Sequence, residues 1–253
     1  MERVVTMLEI LTRELASQPA RPIHVPVREA ISPAAGSDLR EGAPSQVAHT
    51  REHPKYGSDA RRGDLHEKRV AQAIEQWLNQ RDDHFHLFHD LAEFHQVSGA
   101  GLEPLSLGGT NLDHVVLTGD TWLIVDAKGC GAGVLGLDPN RDGVLVKPDG
   151  TTKQEKWLDD GRAYSRAGVL YRLTDGIRGQ TAWIVPDTTL LHPSLQHAAC
   201  RKRGGLVLPM RALTDGHFDQ HFPAPQRPAD PAHIARLSTR LSTHQQPRPT
   251  SSP

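Results

Sequence analysis

Apolar positions recur first at Val4, Leu8, Leu11 and Leu15, a spacing that predicts an amphipathic helix over residues 1–17 whose stripe needs a partner, either this core or a second copy of the chain. Residues 18–59 carry Pro, Ala, Ser, Gly and charge without a sustained period, the pattern of a flexible linker or arm. In "DLHEKRVAQAIEQWLNQ" (64–80), Glu67, Val70, Ile74, Trp77 and Leu78 share one broad helical face, while Lys68, Arg69, Gln72 and Glu75 turn elsewhere. A helix is expected there, with Glu67 at the border of its buried side. Strands are expected at 84–91, 105–107, 133–137, 143–147, 181–185 and 205–209, and helices at 154–173 and 231–242. Residues 243–253 are polar and Pro-rich and read as a disordered tail. A helix, several strands, a second helix and a further strand make residues 60–242 an α/β domain in which a crossover helix returns the chain to its sheet.

The most informative stretch is "NLDHVVLTGDTWLIVDAK" (111–128), two apolar runs around a short turn. A two-residue turn at Gly119-Asp120, favoured by glycine at its first position, makes residues whose numbers sum to 239 face one another. Leu117 then opposes Trp122, Val115 opposes Ile124, and Asp113 opposes Asp126. Alternation puts Asp113, Asp126 and Lys128 on one face, with His114, Val125 and Ala127 on the other. Opposed side chains stand about 4.5–5.5 Å apart at Cβ, where like charges repel, so a neutralising cation is expected. Mg²⁺ takes one or two carboxylates and keeps several waters, and the adjacent lysine can stabilise charge growing on a phosphoryl group. The plainer alternative is that Asp113 caps a turn while Asp126 and Lys128 form a solvated pair at a strand end.

Bulk properties narrow the partners. The 253 residues are 37% hydrophobic and carry a formal net charge of −1, so nucleic-acid contact would rest on local patches such as Arg61-Arg62, Lys68-Arg69 or Arg201-Lys202-Arg203. Cys130 and Cys200 have no CxxC spacing, which fits free thiols in a reducing compartment. The N-terminus lacks the basic head and unbroken apolar run of a signal peptide, and nothing reaches the ~18 apolar residues of a membrane span. A cytoplasmic location without membrane attachment is the expectation.

"RRGDLHEKRV" followed by "GGTNLDHVVLTGDTWLIVDAKG" resembles the nuclease-related domain (NERD), a branch of the PD-(D/E)XK nuclease superfamily, over about 63–187. Glu67, Asp113, Asp126 and Lys128 match that family's acidic and lysine positions. His66 stands where relatives usually have glycine, and Asp126 replaces the commoner glutamate. The resemblance implies a restriction-endonuclease-like αβββαβ core with a mixed central sheet flanked by helices, and Mg²⁺-dependent phosphodiester hydrolysis, with Mn²⁺ as a substitute and DNA as the expected polymer. It implies that Asp113, Asp126 and the Ala127 carbonyl hold metal, that Glu67 binds metal or water, that Lys128 orients or activates water, and that Gln154 is an accessory. Relatives of such folds can lose catalysis and keep binding, so an inactive nucleic-acid-binding or assembly module stays open as the alternative.

Other signals add less. "DPNRDGVLVKPD" has the oxygen-ligand spacing of a calcium loop, but its flanks read as strands, so a hairpin turn with Asx bonding is expected. "GCGAG" (129–133) precedes a strand rather than the helix that a dinucleotide fingerprint requires, and its glycines read as allowing backbone to pass near the site. His84, His86 and His89 are expected to be solvated or at the core edge, and Cys130 to be a small buried hydrophobe. Lys147, Lys153, Lys156, Arg162 and Arg166 read as a helix's wet face able to track phosphates, and Trp157 and Tyr164 as core.

Overall fold

A computed structural model describes residues 40–42, 44, 57–81, 85–91, 111–140, 142–158, 162–195, 205–222 and 227–240. The expected helix over 1–17, the strand at 105–107, Cys200 and the tail at 243–253 lie outside the described residues, as do the side chains of 57–61 and Arg162.

The described chain is mixed α/β. Its elements are β1 (Arg40–Glu41), α1 (Gly57–Asn79), β2 (His86–Leu91), β3 (Leu112–Leu117), β4 (Trp122–Ala127), β5 (Gly133–Leu137), β6 (Gly143–Val146), β7 (Thr152–Gln154), α2 (Arg162–Leu173), β8 (Gly179–Val185), β9 (Thr189–Leu191), β10 (Gly205–Pro209) and α3 (Pro231–Ser238). A six-stranded mixed sheet runs in the order β1-β2-β3-β4-β8-β10, and a four-stranded sheet in the order β7-β6-β5-β9. In the larger sheet β2, β3 and β4 are antiparallel neighbours, while β4, β8 and β10 are parallel. α2 is the crossover that makes the β4–β8 pairing possible.

Some differences from the sequence pattern concern element limits. Arg40–Glu41, inside the expected linker, adds a short parallel strand to β2, and Glu41 Oε1 lies 2.9 Å from His86 Nε2. The helix expected from 154 begins only at Arg162, and residues 152–154 instead extend the β5–β6 hairpin as β7. The polar "TKQ" has no apolar face to report a strand; its pairing with Val144–Val146 supplies the ladder.

Each face of the large sheet is covered. On one, Phe88, Val115, Leu117, Trp122 and Ile124 meet Val169, Leu170 and Leu173 of α2 and Leu237 of α3. On the other, Leu87, Val116, Leu123, Val125, Ala182 and Ile184 meet Val70, Ile74 and Trp77 of α1. A third cluster, with Cys130, Leu135, Leu145, Leu158, Trp183 and Val207, joins the small sheet to the β8–β10 edge. Burial pushes the Cys130 thiol up to about 12, the behaviour of a packed hydrophobe rather than a nucleophile.

The hairpin has the expected register. His114 opposes Val125, Val115 Ile124, Val116 Leu123 and Leu117 Trp122, and Thr118 N–H donates to Thr121 O at 2.9 Å across Gly119-Asp120. The reason for glycine is different from the one expected, because Gly119 is not among the residues of positive φ. A Cβ at Gly119 would collide with the Pro228 carbonyl and the Arg227 side chain. That segment fastens the turn: Gly119 N–H donates to Arg227 O at 3.0 Å, and Arg227 donates from N and Nε to the Asp120 carboxylate at 2.9 and 2.6 Å.

Candidate active site

The β3–β4 ladder stops at His114 and Val125, one residue short of the two acids. Beyond that point β4 continues along β8, with Asp126 beside Trp183 and Ala127 beside Ile184. The Ala127 N–H, released from β3's main chain, donates to Asp113 Oδ2 at 2.8 Å. A side-chain oxygen thus takes the place of a strand carbonyl, satisfying a donor that would otherwise be orphaned. Asp113 and Asp126 come together where the strands part, on the face covered by α2.

Asp126 is almost wholly buried, and both its oxygens are engaged. Lys128 Nζ donates to Oδ1 at 2.6 Å, and Arg166 Nη1 from α2 donates to Oδ2. Burial works against the charge on Asp126, but Lys128 and Arg166, helped by a hydrogen bond with Asp113, hold its carboxyl well below the usual carboxylate range. Asp113 shifts the other way, because burial, joined by the negative charges of Asp126 and Glu67, pushes it well above that range against the pull of Lys128 and Arg166. Two adjacent carboxyls with separated pKa values can share one proton.

This corrects the expectation that a bound cation alone makes the two acids tolerable, since the chain supplies Arg166 and Lys128 for that purpose. It also corrects the reading of Arg166 as part of a wet, phosphate-tracking helix face. The residue is 6% exposed, whereas Lys147, Lys153 and Lys156 are indeed exposed. A sequence signal existed: Arg166 precedes Val169, Leu170 and Leu173 by three, four and seven positions, so it belongs to α2's buried stripe.

Glu67 is half-buried on α1, and its charge acts on Asp113. The helix is fixed nearby by His66, whose Nε2–H donates to Ile184 O at 3.0 Å, the carbonyl that also accepts Lys128 N–H at 2.9 Å. Gly129 faces the start of α1, where a Cβ would lie in ordinary contact, 3.4 Å from Gly63 Cα. Gln154 is exposed on β7 opposite Val144, while its neighbour Glu155 turns inward, accepts from Trp157 Nε1 at 2.9 Å and forms an ion pair with Lys153 at 2.9 Å. Lys128 Nζ stands 6.0 Å from the centroid of the Trp157 ring, at the outer limit of a cation–π contact. Trp157 belongs to a 3₁₀ turn (Lys156–Leu158) rather than to the helix, and Tyr164 is 51% exposed rather than core.

Behind Asp113, on the α1 face, His89 and His114 meet Nδ1 to Nδ1 at 2.9 Å with rings nearly perpendicular. His114 is buried, and so are His86 and His89, which were expected to be solvated or at the core edge; His84, expected likewise, lies outside the described residues. Burial lowers the pKa of His66, His86 and His89, and burial together with the nearby His89 lowers that of His114 well below the ordinary value. The pairing was hidden because it depends on the β2–β3 register, which no local turn announces.

The donors at the parted strands, carboxylate and main-chain carbonyl oxygens, are of the kind a hard divalent cation takes, so Asp113, Asp126, Ala127 and Glu67 fit Mg²⁺ by chemistry. Among the described residues no three His, Cys, Asp or Glu side chains form a ready metal cage. The aspartates of "DPNRDG" behave as the Asx turn expected, with Asp142 N–H donating to Asp138 Oδ1 at 2.8 Å. No helix among the described residues is long and apolar enough to cross a membrane. No family model matches the chain, and comparisons with curated proteins and with solved structures give no match.

Proposed function

We propose that the chain is a Mg²⁺-dependent nuclease, with Mn²⁺ as a substitute, that hydrolyses phosphodiester bonds of nucleic acid, DNA being the expected polymer. The observation that carries this is the meeting of Asp113, Asp126 and Lys128 where β3 and β4 part. The order α1, β2, β3, β4, α2, β8, with α1 and α2 on opposite faces of a mixed sheet, supports a restriction-endonuclease-like core of the nuclease-related-domain type. In this reading Asp113, Asp126 and the Ala127 carbonyl hold the cation, with Glu67 beside them. When bound, the cation supplies Lewis-acid polarisation of the phosphodiester. Lys128 orients the attacking water and stabilises charge developing on the phosphoryl oxygens. Arg166 keeps Asp126 ionised and fixed in place.

A second reading has its own observation. Because each oxygen of Asp126 already has a cationic partner in Lys128 or Arg166, the same cluster can serve as a structural ion pair in a nucleic-acid-binding or assembly module without catalysis. Incubating the purified chain with plasmid, linear and single-stranded DNA, and with RNA, in Mg²⁺, Mn²⁺ or EDTA separates the two. The nuclease reading expects EDTA-sensitive cutting that Asp126→Ala and Lys128→Ala each reduce at least about 100-fold. Cutting that survives both substitutions, or binding of nucleic acid with no cutting in any metal, rejects it.

A further inference from the structure

We propose that Arg166 is a positioning residue that pins Asp126 and, through its fixed positive charge, sets the cation affinity of the site, an inference that rests on the nuclease reading above. Both oxygens of Asp126 carry a cationic partner from the chain itself, Lys128 on Oδ1 and Arg166 on Oδ2. A divalent cation that takes Asp126 meets the charge of both, and the freer of the two gives way. The two differ in freedom: the Lys128 side chain is 21% exposed on a flexible stem, whereas the Arg166 side chain is 8% exposed on the packed stripe of α2. Lys128 is therefore the partner that yields, leaving Oδ1 to the cation, and Arg166 is the one that stays.

A guanidinium that stays has two effects. It pins Oδ2, which aims Oδ1 toward the gap between β3 and β4. It also leaves a fixed positive charge a few ångströms from the incoming cation, where charges repel strongly even at an effective dielectric constant of ~20. The site is thereby kept loose for metal and stable without it.

The test uses the full, metal-depleted chain with Mn²⁺ alone as probe, free Mn²⁺ being read by electron paramagnetic resonance. Arg166→Gln should tighten Mn²⁺ binding by about tenfold or more, since a unit charge is removed from beside the site. Arg166→Lys, which keeps the charge, should stay near the starting affinity, and Asp126→Asn should abolish the binding in every background. A purely structural role predicts weaker or unchanged binding in Arg166→Gln, and that result overturns the proposal. If Asp126-dependent Mn²⁺ binding is present but does not tighten, only the role of Arg166 fails. If neither the unaltered chain nor Arg166→Gln binds Mn²⁺, the metal-dependent reading fails and the proposal with it.

Should Arg166→Gln not fold, the unaltered chain decides. In ¹⁵N-arginine-labelled protein titrated with Mg²⁺, the Arg166 guanidinium signal should shift and saturate with the cation's own midpoint. Saturable Mg²⁺ binding that leaves that signal unmoved overturns the proposal.

Discussion

The two faces of the β3–β4 hairpin bury ionisable groups by opposite means. Toward α1, His114 and His89 are kept neutral, their charge suppressed by burial. Toward α2, Asp126 keeps its charge because Arg166 and Lys128 neutralise it, while burial and the nearby negative charges push the carboxyl pKa of its neighbour Asp113 up. A group that gives up its charge needs only shape and a hydrogen bond. One that keeps its charge needs a partner placed to within a fraction of an ångström, and becomes dependent on that partner.

The comparison breaks most readily at the charged face. Arg166→Ala leaves Asp126 charged and buried beside a single lysine, and should lower stability by about 3–5 kcal/mol in urea unfolding at pH 7. Adding Asp126→Asn to that variant should restore part of the loss, because the uncompensated carboxylate disappears with its partner. Equal losses in the single and double variants would show that packing, not charge, is what Arg166 supplies.

The neutral face should respond to acid. Its histidines have lower pKa values folded than unfolded, so their contribution to stability is complete above about pH 6.5 and is lost as pH falls toward the folded values. Asp113 acts with the opposite sign, since a raised carboxyl pKa gives stability that is present below about pH 4 and lost as pH rises through the folded value. Measured in an Asp113→Asn background, unfolding free energy should fall between pH 7 and pH 5 by at most about 1.4 kcal/mol per pH unit per histidine. Replacing both His89 and His114 by leucine should reduce that slope, leaving the part due to His66 and His86.

Asp113→Asn itself should have the smallest effect on folding, within about 1 kcal/mol near pH 5, because an amide oxygen can still accept from the Ala127 N–H and burial already opposes the charge of the native group. The same variant should lose nuclease activity in the gel assay. Fold retained with cutting lost would separate the catalytic use of Asp113 from its structural one.

The hairpin was legible because its register follows from one short turn, and with it the nearness of Asp113 and Asp126, although the ladder ends one residue before them. α1 was legible from its apolar stripe, although its start at Gly57 was not, since the first turns carry no periodic apolar residue. The partners of Asp126 were half legible: Lys128 by its spacing along the strand, Arg166 only by trusting the stripe of α2 over the habit of placing arginine in water. Gln154, an accessory by resemblance, ends an exposed strand rather than opening a helix, because the polar run before α2 carries no apolar period to tell the two apart. The strand at Arg40–Glu41 and the contact between His89 and His114 rest on pairings between segments far apart in sequence, which local patterns do not encode.

The fastening of the hairpin tip by Arg227 joins residues 107 positions apart. A ribosome finishes the hairpin long before it makes the arginine that clasps it. During synthesis the newly made ribbon therefore waits with an unfastened tip, and a chain cut short before residue 227 would carry all of the proposed catalytic groups while lacking the clasp that steadies the strands bearing them.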